Sequence, residues 1–133
     1  MKFILSALLL LSTTAFADTS SDIEKVVLEN LEHTQDENMD AVMADLHSQS
    51  PAYPQTQQVL PQLFSVYDLK YELISYNFLA EDEEFAYAKV KQRTSKVAGP
   101  EFMNNEIELL VIFKQENGVW KLWTQANLSI TYI

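Results

Sequence analysis

Apolar and polar residues alternate through the last third of the chain in two strand-length runs, Phe102 to Glu116 and Val119 to Tyr132, which meet at Asn117-Gly118. Both central residues of a type I′ turn need positive φ, so Asn-Gly predicts a two-residue hairpin loop. That loop sets Glu116 opposite Val119. The pairs Phe113 with Leu122, Val111 with Thr124, Leu109 with Ala126 and Ile107 with Leu128 follow, making one face of the hairpin an apolar core wall.

Two further strands, Leu69 to Leu79 and Phe85 to Val97, flank the acidic turn Glu81-Asp82-Glu83-Glu84, and Ala98-Gly99-Pro100-Glu101 forms the next turn. A one-residue slip would invert every side chain, so the register across Gly99-Pro100 can be tested against charge. Pairing Val97 with Phe102 sets Arg93 opposite Glu106 and Lys91 opposite Glu108 on an outer face. The inner face then pairs Thr94 with Asn105, Gln92 with Ile107, Val90 with Leu109, Ala88 with Val111 and Ala86 with Phe113. The same scheme places Tyr71, Leu73, Ser75 and Asn77 inside, and Glu72, Ile74, Tyr76 and Phe78 outside.

Ahead of the strands the period changes to helical. Ser21-Asp22-Ile23-Glu24 reads as a capping box, followed by Ile23, Val26, Val27, Leu31 and Thr34 on one stripe to about Gln35. Asp36 is expected to cap a second helix bearing Met39, Val42, Met43 and Leu46. From His47 to Gln58, Ser50-Pro51 and Tyr53-Pro54 predict an irregular link. A short third helix over Val59, Leu60, Leu63, Phe64 and Tyr67 starts or bends at Pro61. The fold class is therefore α+β: a curved, cone-shaped antiparallel sheet of about four long strands against three N-terminal helices.

Lys2, the apolar run Phe3 to Leu11 and the small-x-small Ala15-Phe16-Ala17 predict a signal peptide over residues 1–17, hence export to the periplasm or medium and one domain over 18–133. Losing Lys2 takes the formal charge from −10 to −11. Such a balance repels phosphate backbones and anionic lipid, which disfavours nucleic acid and membrane as partners. With no cysteine, the core holds itself together without disulfides.

On the inner face, bulky Phe113, Trp120 and Leu122 lie at one end, small Ala86, Ala88 and Ala126 leave room, and polar residues gather at the other. This predicts a pocket for a small, partly apolar organic ligand, rimmed by Tyr53, Tyr67, Tyr71, Ser75, Gln92, Thr94, Asn105 and Thr124. The bland alternative is that Met39, Met43, Phe64 and Tyr67 fill the space. Outside, Ile74, Tyr76, Tyr87, Leu110, Ile112 and Trp123 form an apolar band ringed by charge, a candidate homodimer face.

The order of elements, with Gly118-Val119-Trp120-Lys121-Leu122, Asp36 to Val42 and Leu63 to Leu69, resembles the nuclear transport factor 2-like superfamily, in particular its SnoaL-like branch. The resemblance implies helices wrapped on a curved sheet, often dimeric through that sheet, in a superfamily holding isomerases, cyclases, dehydratases, epoxide hydrolases and non-catalytic accessory domains. Its isomerase-like and cyclase-like members use an acid or an Asp-His pair inside the cone. Here Glu72, Glu106 and Glu108 fall on the outer face, so the sheet offers the cavity no acid. The remaining catalytic candidate is His47, as a base with Tyr53 or Tyr67 donating to an oxyanion; as a structural residue it would sit at the carbonyl end of the second helix. His33 with Asp36 lacks a third metal ligand, and no phosphate loop, nucleophile elbow or His-Glu-x-x-His occurs, so no metal or cofactor is expected. The leading reading is an exported ligand-binding or accessory domain. The alternatives are an acid-base enzyme using His47 and an interaction module using the outer face.

Overall fold

The structure, a computed structural model, describes residues 18–133 in full and residues 2–17 only as part of helix α1; the expected leader, residues 1–17, lies outside the residues whose side chains are described. Three helices, α1 (Lys2–Gln35), α2 (Met39–Asp45) and α3 (Tyr53–Val66), precede four strands, β1 (Asp68–Glu81), β2 (Phe85–Ala98), β3 (Asn105–Glu116) and β4 (Val119–Tyr132). The strands form one antiparallel sheet in the order β1-β2-β3-β4, curved and unclosed, with the helices on its inner face.

The helices depart from the expected boundaries in three places. Ser21 lies inside α1 rather than at its start, so its capping box does not cap. Asn38, not Asp36, caps α2, its side chain accepting the Ala41 N–H. Helix α3 begins at Tyr53, where Pro54 sits in the first turn, a position whose N–H would have no helical partner anyway. Pro61 is carried within that helix on its exposed side, so 14 residues are helical where a short helix was expected after Gln58.

Asn117 (φ 53°) and Gly118 (φ 79°) both take the positive φ of a type I′ turn, and Glu116 pairs with Val119. The β2–β3 register matches the expectation from Ala86↔Phe113 to Thr94↔Asn105. Pairing stops there: Val97 does not reach Phe102, because Asn104 intervenes and its side-chain oxygen accepts the Lys96 N–H. Elsewhere five register shifts, three in the β1–β2 ladder and two in the β3–β4 ladder, overturn the simple alternation. In β4 the register shifts at Trp123 and again at Leu128, so Val111 faces Gln125, Leu109 faces Asn127 and Ile107 faces Ile130. In β1 a shift at Ile74 places Tyr76 opposite Val90 and Phe78 opposite Ala88.

The last shift moves whole side chains across the sheet, as an inserted residue must. Tyr76 and Phe78 turn inward onto the core and Ser75 turns to the outer face opposite Lys91. The core under them is Ile23 and Val27 of α1 with Ala86, Ala88, Val90, Leu109, Val111 and Phe113 of the sheet.

The two sheet edges are treated differently. Gln35 closes β1 with its amide, Nε2 donating to the Leu69 carbonyl and Oε1 accepting the Tyr71 N–H. The start of β4 is covered by the α2–α3 link, where the His47 N–H donates to Leu122 O and Ser50 Oγ to Trp123 O.

Candidate functional site

The helices do not fill the inner face. A half-open cavity of about 480 Å³ remains between α3 and the sheet, within the usual range for small-ligand sites. Its apolar wall comes from Leu31 of α1, Val42 and Leu46 around α2, Leu60 and Leu63 of α3, and Leu122 of β4. The polar groups are Asn30, Thr34, Gln55, Thr56, Tyr71, Gln92, Thr124 and Gln125, and none of the 16 lining residues carries a formal charge. A deeper recess of about 30 Å³ adjoins it over Val27, Val90, Leu109 and Val111. The main cavity and the recess share Asn30, Leu31, Gln92, Leu122 and Gln125.

The lateral wall is loosely built. Helix α3 has no buried residue, its N-cap Ala52 makes no side-chain cap bond, and Val59 remains 49% exposed at the mouth. On the other side, Asn30 is held from behind: its Nδ2 donates to Asp45 at 3.0 Å, and the same oxygen pairs with His33 Nδ1 at 2.8 Å. Burial, and secondarily Glu37, push the Tyr71 hydroxyl above the usual tyrosine range, so at neutral pH it is a neutral donor.

Of the residues expected at the pocket, Tyr71, Gln92 and Thr124 line it. The other five do not. Ser75 is outside through the β1 bulge, and Thr94 is buried at the far end of the sheet beside its partner Asn105. Tyr67 stacks edge-on to Phe102 at 5.6 Å with its hydroxyl on Glu101 O, and Tyr53 opens α3 without lining the space. Of the polar wall residues missed from sequence, Asn30, Thr34, Gln55 and Thr56 lie on helices and Gln125 on β4; Asn30 and Thr34 follow the α1 stripe at i, i+4, a signal that could have found them.

His47 is not at the mouth. It is 7% exposed and packed edge-to-face on Trp123 at 5.1 Å, and its Nδ1 accepts the Gln49 N–H, which places the ring proton on Nε2. Its neighbour Glu116 is 3.9 Å away and is held below the usual carboxylate range first by the Ser48 hydroxyl and then by the Ser48 N–H. The group pins the α2–α3 link to the β3–β4 hairpin, so the expected base serves the fold.

The sheet acids point outward. Glu106 takes Arg93 and Lys91, and Glu108 takes Lys89 at 2.6 Å rather than its facing Lys91. Of the expected apolar band, Tyr76 is removed, its hydroxyl donating to Ser20 O on the inner side. Ile74, Tyr87, Leu110 and Ile112 stay outside with Trp123, over whose ring Lys114 Nζ lies at 4.7 Å. His33 meets Asp45 instead of Asp36, and no group of three His, Cys, Asp or Glu able to hold a metal ion occurs among the described residues.

The His33–Asp45 pair gives a pH prediction. Asp45, first through its hydrogen bond, raises the His33 pKa above 6.5. A raised folded-state pKa gives stability that is complete below the unfolded value and lost as pH rises through the folded one. The melting temperature is therefore expected to decline modestly as pH rises above about 6.5, since a partly exposed pair contributes under about 1 kcal/mol. His33→Gln should flatten that slope in a calorimetric pH series; an equal slope in both proteins contradicts the assignment.

The family described as the anti-sigma-I factor RsgI9, C-terminal domain, matches residues 25–133. The chain belongs to that family. Comparison with curated protein sequences returns no match. Among solved structures, this RsgI9 C-terminal-type domain is similar to a scytalone dehydratase-like protein from Novosphingobium aromaticivorans, at 10% identity, TM-score 0.73 and 90% coverage of both chains. It is also similar to a nuclear transport factor 2-like protein of unknown function from Pseudomonas putida (11% identity, TM-score 0.68, 82% of this chain and 84% of that one). A ketosteroid isomerase-like protein from Erwinia carotovora atroseptica matches at 14% identity and TM-score 0.61, over 82% of this chain and 95% of that one. At such identities these similarities show the nuclear transport factor 2-like fold, as the element order had suggested, and leave chemistry to the site.

Proposed function

We propose that this domain is an exported module that takes a small, mainly apolar, uncharged organic ligand into its cone, in a binding or accessory role. The observation that carries the reading is the cavity of about 480 Å³ with no charged residue in its lining. General acid-base chemistry needs a group within hydrogen-bond reach of the reacting proton. His47 is spent on the link and neither Tyr53 nor Tyr67 lines the cavity, so the residues named for the enzyme alternative do not meet there. Membership in a family described from a domain of an anti-sigma factor, a regulatory protein, supports binding over turnover. The leader pattern of residues 1–17 supports export.

Thermal-shift screening with small apolar carbonyl compounds tests this, since a ligand that binds only the native state raises the melting temperature. At 100-fold excess over Kd the stabilisation is about 2.7 kcal/mol, roughly 10 °C for a domain of this size. Val59→Trp, at a half-exposed position on α3, should fold normally and abolish the shift by occupying the mouth. Hits that shift wild type and Val59→Trp equally bind elsewhere and refute the reading.

A further inference from the structure

The chemistry of the cavity narrows the class of ligand further, given the reading of the cone as a binding site. Three side-chain amides, Asn30, Gln92 and Gln125, stand where the main cavity meets its recess. The side chains of Gln92 and Gln125 make no hydrogen bond among the described residues, so each brings a free donor and a free acceptor. Asn30 differs: its NH₂ is committed to Asp45, which leaves its carbonyl oxygen to a ligand.

Charge is absent well beyond the lining. Segments 46–67 and 122–133 supply ten of the 16 lining residues and contain no Asp, Glu, Lys or Arg, in a chain that has 28. An anion entering here would lose its hydration against a field of net charge −10 and find no cation. A cation would be drawn toward the protein but find no carboxylate inside, since Asp45 lies behind Asn30 and is already paired with His33. A neutral group that both donates and accepts meets partners for each function.

We infer that the site selects an uncharged ligand bearing a carboxamide-type group, seated at Asn30, Gln92 and Gln125, on an apolar body lying against Leu31, Leu60 and Leu122. Ionised isosteres of the same shape are rejected by desolvation. Of the three amides, Gln92 alone comes from an interior strand, β2, with Gln125 on the edge strand β4 and Asn30 on α1.

Ligand-observed NMR titration of the full domain at neutral pH with benzamide, benzoate and benzamidinium, and toluene as the body alone, tests the inference. Benzamide is expected to bind at least about tenfold more tightly than either ion. Gln92→Leu should weaken benzamide about tenfold while leaving toluene unchanged, and Gln125→Leu, at an exposed position, serves the same purpose if Gln92→Leu does not fold. Benzoate or benzamidinium binding as well as benzamide overturns the ligand class and leaves the cavity reading standing. Failure of all four probes, toluene included, overturns the cavity reading and the inference with it.

Discussion

Phe113→Ala is expected to lower the stability of the domain by about 3–5 kcal/mol, the range for truncating a fully buried aromatic ring. Phe113 is 0% exposed and stands between Ala86 on β2 and Leu122 on β4, with Trp120 and Ile23 in the same core. Alanines at 86 and 88 make room for the ring, so its removal leaves a void that flanking small residues cannot close. A domain of this size has about 5–15 kcal/mol in total. The expected loss is therefore a large share of it and corresponds to a melting temperature lower by roughly 10–20 °C. Chemical denaturation should show the midpoint moving with little change in slope. A change below about 1 kcal/mol would mean that the ring is not the floor of the core.

Gly99→Ala is expected to cost about 1–3 kcal/mol for a residue exposed on a turn, where substitutions ordinarily cost little. Two causes add. Its φ of +123° is open to glycine and strained for any other residue, and a Cβ there would lie 2.8 Å from the Val66 carbonyl oxygen and 2.9 Å from Tyr67 Cδ1. The β2–β3 turn tucks under the C-terminal end of α3 at this point, so the added methyl pushes on the helix that walls the cavity. Gly118→Ala is the internal comparison, with φ +79° and nothing within 4 Å of the added Cβ. It should cost about 1 kcal/mol through backbone strain alone. Equal losses at the two glycines would show that α3 does not rest on the turn.

The parts legible in the sequence were those fixed by short-range rules. Asn117-Gly118 dictated the hairpin because no other two-residue loop suits it so well, and alternating charge on β2 and β3 picked one register out of two. What escaped were the register shifts, those at Ile74, Trp123 and Leu128 among them, since β-branched, aromatic and aliphatic residues carry no mark of an extra residue in a strand. Their consequences were large for the site. Tyr76 was expected outside and Ser75 inside, and one bulge exchanged them, while the shift at Trp123 brought Gln125 opposite Val111 and to the cavity neck. His47 was misplaced for a different reason. Its role depends on residues 69 to 76 positions away, Glu116 through Ser48 and Trp123 by ring contact, and on a link that adds to the β4 edge. Helix α3 is longer than its prolines suggest, because Pro54 sits in the first turn, where proline is favoured, and Pro61 is carried within the helix.

Binding of a ligand inside the cone at the amide neck is read from the side-chain NH₂ signals of the ¹H–¹⁵N spectrum during titration with a neutral carboxamide such as benzamide. Saturable shifts of Asn30, Gln92 and Gln125 are expected, with the indole N–H of Trp123 on the outer face unmoved. Shifts confined to Trp123 and its neighbours, with the three amides unchanged at saturation, would contradict it.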